Sequence, residues 1–481
     1  MRTFSEALSE IVKESDLSIY GMAKAIECDR TMLNKVISGD RKINLGMFLD
    51  IYAYLRNSNE TYRLEELYEL FWEEYLGNKE YEIVKYIRTK LYNMKKDENK
   101  YEEINGLKFV NIDIYEYITA HDIKQKAIIE KLYAIILNVI NEHKNIKLYV
   151  HLPVYWKEVM TFIKFAFSIN EVRTHIELTY IHTGYNRQYN EDFILIANYL
   201  VACEFALNGI STYDKNNWCR LDDENDIMPY YVVSEKEIFF MQKNMEIVGI
   251  ENSGCTYESI IKTVNNTYNE NKKFNNIMSY DNYVKILINS INDNSQCINI
   301  GGRIPFMLFC TRGTFDKIIN NNRKDKERFI NMLEVYYKNV RGKKCDVMIS
   351  ENEILSFMND YSVNETYFEM SDDDKDVKLE ILNNIYKYYI KNKESLFTVL
   401  NNEKCNIPKD LSIAILSEKR ICATGYLDIE GKRKKTVSVI DSVSLCRHFI
   451  NFYQYITYSN MSLKIQEMLQ LLDGIINVYK K

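Results

Sequence analysis

Through the first hundred residues, apolar positions recur at helical spacing. Phe4, Ala7, Leu8 and Ile11 fall on one face of residues 4–14, and Phe48, Leu49, Tyr52 and Leu55 on one face of residues 45–55. Both stretches are therefore expected to be amphipathic helices. Two shorter helices are expected between them, over 19–26 and 30–37. Ser18 and Asp29 stand where N-caps are needed, since a hydroxyl or carboxylate there accepts from free first-turn N–H groups. Ala23 leaves room for a close helix crossing, and Glu27-Cys28-Asp29 supplies the turn. In the second short helix Met32, Leu33 and Val36 form a buried edge, while Arg30, Thr31, Asn34 and Lys35 share the edge facing water. Gly39 stops that helix, and Asp40-Arg41-Lys42 follows as a polar loop.

Residues 62–96 continue the helical period as one or two helices, with Leu64, Leu67, Leu70, Phe71, Tyr75, Ile83, Ile87 and Leu91 as the stripe. Glu60, Glu65, Glu66, Glu69, Glu73 and Glu74 take the other side, either as a spacer that repels a polyanion or as a solvated face. The charged stretch 97–105 marks a boundary. Beyond it helices alternate with strands: helix 115–142, strand 147–152, helix 155–167, strand 175–182 and helix 191–207. Strands 229–233 and 237–241 then flank Ser234-Glu235-Lys236, before a helix over 257–269.

A similar order returns later, with strand 344–350, helix 351–359, strand 365–370 and helix 376–392. Strands 411–416 and 420–426 flank a second such tripeptide, Ser417-Glu418-Lys419, and a helix covers 444–458. YYVVSEKEIFF and SIAILSEKRIC align without a gap about the shared tripeptide, which points to two α/β modules in tandem, about 170 residues apart. A last amphipathic helix is expected over 462–479, with Leu463, Ile465, Met468, Leu471, Leu472 and Ile475 as its stripe.

The stretch 17–44, LSIYGMAKAIECDRTMLNKVISGDRKIN, resembles the Cro/phage-repressor (Xre-type) helix-turn-helix family. The small Ala23, the turn at Glu27-Cys28-Asp29, the Ser38-Gly39 stop and the Arg41-Lys42 loop carry the resemblance, which covers about the first sixty residues. Two positions depart from the pattern. Gly21 lies inside the first helix of the pair, at a cost of roughly 1 kcal/mol against Ala. Cys28 replaces a small aliphatic residue and packs like one. The resemblance implies that 30–37 is a recognition helix, with Arg30, Thr31, Asn34 and Lys35 reaching base edges and Ser18, Arg41 and Lys42 meeting phosphates.

Net charge is −6, so the chain is no general polyanion binder, and DNA binding has to rest on a local cluster of cations. Affinity per monomer is then modest and strongly salt-dependent, a weakness that a dimer relieves. The ten cysteines include no Cys-x-x-Cys pair and the six histidines do not cluster near them, so zinc-site spacing is missing and reduced, buried thiols are expected. No signal-like opening and no run of about 18 apolar residues occur, which predicts a soluble, cytoplasmic protein with no membrane partner.

Other chemistry is thin. Gly301-Gly302-Arg303 follows a strand candidate but lacks phosphate-loop spacing, so a plain turn is expected. His151, His175 and His182 lie at strand ends without a carboxylate or nucleophile at a fixed spacing, and the duplicated His-x-Lys pattern of phospholipase-D-type enzymes is missing. Asp372-Asp373-Asp374 is expected to favour a helix start rather than a cation. The basic run Lys432 to Lys435 is expected at a hairpin tip.

The expected fold is therefore an α+β multidomain chain. An all-α helix-turn-helix domain of four to five helices occupies 1–57, a helical connector 58–100, and α/β modules 101–275 and 276–481, the second with the C-terminal helix. The expected function is a transcriptional regulator, not an enzyme, with no cofactor or metal. It binds double-stranded DNA at a palindromic operator as a homodimer, and its large C-terminal region senses a small-molecule or peptide effector or holds the dimer. Two rivals stand beside it: an enzyme fused to a DNA-binding domain, and a peptide-pheromone receptor, whose helical-repeat body would contain almost no strand.

Overall fold

The computed structural model describes residues 2–15, 17–57, 63–104, 126–154, 156–168, 172, 175–181, 191–207, 210–213, 230–234, 237–242, 247–251, 258, 262, 276–277, 285, 297–319, 324–342, 344–359, 363–364, 369–371, 373–392, 395–401, 404–405, 407–429, 432–463 and 465–480. The chain divides into two compact units. One is Met1–Thr89 with His448–Lys464, the other Lys90–Arg447 with Ile465–Lys481.

The first unit is helical. Helices α1 (Phe4–Glu14), α2 (Ile19–Ala25), α3 (Arg30–Ile37) and α4 (Leu45–Asn57) lie where the apolar pattern puts them. Thr3 and Glu6 close a capping box at the start of α1, and Phe4, Ala7, Leu8, Ile11 and Val12 form its buried face. The helical stretch expected over 62–96 as one or two helices is two, α5 (Leu64–Leu76) and α6 (Asn78–Ile104), broken at Gly77, whose φ of 78° is a left-handed conformation that favours glycine.

The unit does not end at residue 57. Helix α5 buries Leu64, Leu67, Tyr68, Phe71 and Trp72. Phe71 stacks on Phe48 with ring centroids 3.6 Å apart and planes 4° from parallel, and Phe4 meets both rings edge-on. The segment His448–Lys464, expected in the second module, joins the same aromatic core, where Tyr455 packs against Tyr68 and Trp72. His448 Nδ1 lies 2.6 Å from Glu80 Oε1, and the Asn451 amide donates to the same oxygen.

The glutamates of α5 are correspondingly not a bare solvated face. Glu69 accepts from the hydroxyls of Tyr81 and Tyr455, Glu66 pairs with Arg2, and Glu74 accepts from the Phe4 N–H at 2.7 Å. Burial pushes the Tyr68 phenol well above its ordinary range. The charged stretch 97–104 is no boundary either, because α6 runs through it to Ile104.

The second unit holds two mixed sheets and a short antiparallel pair of β10 (Val363–Asn364) with β11 (Glu369–Met370). In the first, β1 (Ile146–His151), β2 (Ile176–Ile181), β3 (Ser211–Tyr213), β4 (Tyr230–Val233), β5 (Ile238–Met241) and β6 (Ile247–Glu251) lie in the order β3-β2-β1-β4-β5-β6. The β1–β2 and β2–β3 pairs are parallel and the rest antiparallel. The other sheet contains β7 (Asn276–Ile277), β8 (Cys297–Gly301), β9 (Cys345–Ser350), β12 (Phe397–Leu400), β13 (Ser412–Ser417), β14 (Arg420–Ile429) and β15 (Lys432–Asp441), in the order β12-β9-β8-β13-β14-β15-β7. Its β8–β9 and β9–β12 pairs are parallel, and β13, β14 and β15 follow antiparallel. Six strands in each sheet thus share one order and one set of directions. Ser234, which opens one Ser-Glu-Lys tripeptide, follows β4, and Ser417, which opens the other, ends β13; Glu235 and Lys236 lie outside the described residues.

Both sheets lie in one compact unit, although separate modules at 101–275 and 276–481 were expected. The physical reason is the helix Glu191–Leu207, which buries Ile196, Tyr199, Leu200, Val201, Cys203 and Phe205. A helix apolar all round needs cover on every side. It follows β2 in sequence and packs on β14 of the other sheet. Gly425 permits the approach, since a Cβ there would stand 3.1 Å from Leu207 Cδ2.

The C-terminal helix Ile465–Tyr479 turns Met468, Leu472 and Ile476 inward and packs against the helix Lys375–Lys391 and β12 of its own unit. Its stripe is thereby covered within its own unit. Lys432 to Lys435 lie in β15, opposite 426–429 of β14, not at a hairpin tip. Residues 115–125, 182, most of 257–269, 365–368 and Asp372 lie outside the described residues.

Candidate nucleic-acid interface

Helices α2 and α3 pack on one another, with Met22, Ala23, Leu33 and Val36 buried between the helices of the unit. Ala23 is 3% exposed, so a larger side chain at that crossing would have no room. Between the helices Glu27 adopts a φ of 52°, a left-handed turn residue that is not glycine.

Asp29 caps α3. One carboxylate oxygen accepts from the Thr31 N–H at 2.8 Å and from the Met32 N–H at 3.0 Å. Hydrogen bonds from Met32 and Thr31 hold this carboxyl below its usual range. The Thr31 and Met32 N–H groups at the start of α3 are therefore already taken, and the exposed side chains of the helix are what it offers a partner. Ser18 caps α2 through a 3.3 Å bond from the Gly21 N–H.

Arg30, Thr31, Asn34 and Lys35 are all exposed and recur at i, i+1, i+4 and i+5, along one edge of α3. Gly39, with a φ of 83°, turns the chain back, and the Arg41 N–H then donates to the Lys35 carbonyl at 3.0 Å. That bond fixes the exposed Arg41-Lys42 loop at the C-terminal end of α3. Ser38 donates to Asp40 Oδ2 at 2.6 Å, which gives the one acid of the loop a local partner. All seven residues singled out from the sequence are thus on the surface, six of them on α3 and its following loop and Ser18 at the start of α2.

Sequence reasoning passed over Tyr20 and Lys24, which share an exposed edge of α2; Tyr20 is 63% exposed. An aromatic residue inside an otherwise amphipathic helix, off the apolar stripe, was the available signal.

The other candidates resolve differently. His151 is fully buried and packs against the Tyr231 ring at 4.9 Å, while His175 Nδ1 lies 3.1 Å from Asn145 Oδ1. Asp374 stands at the start of its helix but does not cap it. It accepts instead from the Ser371 N–H and hydroxyl at 2.6 and 2.9 Å. Gly301-Gly302-Arg303 is a bend leaving β8 that is tied to the loop before β13: the Gly302 N–H donates to the Leu411 carbonyl at 2.9 Å, and Arg303 pairs with Asp410 at 3.0 Å. The eight described cysteines are free thiols. Among the described residues, no helix is long and apolar enough to cross a membrane.

No family model matches the chain, and neither does any curated protein. Among solved structures, a phosphatidylserine synthase from Haemophilus influenzae Rd KW20 is similar over 74% of this chain and 92% of its own, at 9% identity and a TM-score of 0.26. So low a score carries no argument about fold or activity.

Proposed function

We propose that the chain is a sequence-specific DNA-binding transcriptional regulator whose first unit is an Xre-type helix-turn-helix domain. The observation that carries this reading is the edge of α3. Four polar or basic side chains face outward there, and a backbone bond ties a two-cation loop to the helix end. A packing role explains Leu33 and Val36 but not this edge. In the proposed complex Arg30, Thr31, Asn34 and Lys35 read bases in the major groove, while Ser18, Arg41 and Lys42 hold phosphates.

The second unit is the sensing and dimerising body, built from two tandem modules. The shared strand order of its two sheets supports that reading. The same sheets are incompatible with the all-helical body of a peptide-pheromone receptor. A cytoplasmic site of action fits a DNA partner and the free thiols.

The test is to sequence the fragments that the purified protein retains from sheared genomic DNA of its source. A shared palindrome with half-sites about one helical turn apart supports the reading. Fragments without a common motif, or no retained DNA at low salt, contradict it.

A further inference from the structure

The helix Lys126–Glu142 ends in a turn closed by two backbone bonds. The His143 N–H donates to the Ile140 carbonyl at 3.2 Å and the Lys144 N–H to the Val139 carbonyl at 3.3 Å. Helix stops with this pair of bonds place a left-handed residue at the turn, usually glycine. His143 fills the place instead, with a φ of 50°. An imidazole is thus held where glycine would cost less, and backbone outliers of this kind gather at functional sites.

The chain then enters β1, and the parallel pairing of Ile146 with Ile176 fixes what lies beside the turn. One residue before each of these, Asn145 and His175 meet, and His175 Nδ1 donates to Asn145 Oδ1 at 3.1 Å. An amide oxygen only accepts, so Nδ1 carries the proton and Nε2 keeps a lone pair. Metal-binding histidines are held in this way, with the other ring N–H given to an acceptor that sets the tautomer and aims the ring. The rings of His143 and His175 are 5.9 Å apart between centres. One ion held by a nitrogen of each ring at about 2.0–2.1 Å leaves the centres roughly 4.5–6.5 Å apart, which includes that spacing. His143 is exposed and His175 half-buried, so solvent reaches the pair. Lys144 is paired with Glu142 at 2.9 Å and Lys147 with Glu177 at 3.7 Å, which offsets the cations closest in the chain.

We propose that His143 and His175 bind one divalent transition-metal ion, through His175 Nε2 and one ring nitrogen of His143, with water at the remaining positions. Imidazole suits Ni²⁺, Cu²⁺ and Zn²⁺, whereas Mg²⁺ takes oxygen ligands. Among the described residues, no set of three or more His, Cys, Asp or Glu is placed to hold an ion, so this is a two-nitrogen site with open positions. The ion pins the end of the helix Lys126–Glu142 to the start of β2. Strand pairing, not local spacing, brings the two histidines together. The inference does not rest on DNA recognition, and binding is measured on the full chain without DNA.

The experiment is calorimetric titration with Ni²⁺, Mn²⁺ and Mg²⁺ on the parent protein and on His143→Asn, His175→Gln, Asn145→Ala and Asn145→Asp. Saturable one-to-one binding of Ni²⁺ is expected, about tenfold or more tighter than Mn²⁺ and without binding of Mg²⁺. Each histidine variant weakens Ni²⁺ about tenfold or more. Asn145→Ala weakens it by about tenfold, as loss of a residue that positions a ligand does, while Asn145→Asp keeps the acceptor and the affinity. Asparagine also adopts the left-handed conformation, so His143→Asn keeps the turn and decides the matter even if His175→Gln disturbs the strand end. Three results overturn the proposal: no saturation by Ni²⁺ up to about 1 mM, Mg²⁺ binding as tightly as Ni²⁺, or unchanged affinity in His143→Asn. Asn145→Asp as weak as Asn145→Ala overturns the positioning role of Asn145.

Discussion

Arg30 and Lys35 carry the specificity in this account. Arg30→Ala and Lys35→Ala are each expected to cost about 1–3 kcal/mol on the specific site and to relax sequence preference, read by footprinting. Neutralising Arg41 and Lys42 together should weaken all duplexes alike and lower the salt slope by about two units. A loss confined to one sequence would make them base readers instead.

Asp29 gives a pH handle at the same scale. Its folded-state carboxyl is depressed by the N–H groups it accepts from. Capping is therefore complete above the ordinary carboxylate range and is lost as pH falls through the lower, folded value. Amide NMR of Thr31 and Met32 should follow that acid titration, and Asp29→Asn should abolish it. Two glycines oppose one another. At Gly21 a Cβ meets Ser18 and Tyr54 no closer than 3.6 Å, so Gly21→Ala should stabilise by roughly 0.5–1 kcal/mol. At Gly302 the same change should destabilise, since a Cβ there would stand 2.0 Å from the Pro408 carbonyl oxygen, and should disturb the Arg303–Asp410 ion pair. Chemical denaturation reads both. The caps and the Gly39 stop were legible in the sequence because they act within four residues. The Arg303–Asp410 pair was not, because its partners come from loops far apart in the chain.

Among elements, α5 contradicts the idea of a detachable connector. Its Phe71 fills the stack on Phe48, and Phe71→Ala should cost about 3–5 kcal/mol. A fragment ending at residue 57 should lack cooperative unfolding by circular dichroism, whereas an independent domain would unfold sharply. The boundary was misread because periodicity reports which face of a helix is apolar but not which neighbour covers it. Helices α1 to α4 and strands β1, β4, β9 and β13 were legible from local pattern. Lys326–Arg341 was passed over, although Phe329, Ile330, Leu333, Tyr336, Tyr337 and Val340 keep a helical period and are buried. The gapless alignment about the two Ser-Glu-Lys tripeptides stands beside a strand order that six strands of each sheet share.

For the whole molecule, the proposed DNA contact offers only the four cations Arg30, Lys35, Arg41 and Lys42, so the proposal calls for a second copy. Two linked units add their phosphate contacts at an effective concentration in the millimolar range. Sedimentation at micromolar concentration should find a dimer, held by the second unit. A chain that stays monomeric with its operator would remove both the dimer and the palindrome. The central claim, specific recognition through α3, is tested most directly by titrating one recovered operator and its scrambled counterpart with the parent protein and the Arg30→Ala/Lys35→Ala double variant. The account predicts that the parent prefers the operator by about 10³-fold or more and that the double variant loses most of that preference while keeping its weak, salt-sensitive binding. Equal affinity of the parent for both duplexes, or an undiminished preference in the double variant, would contradict it.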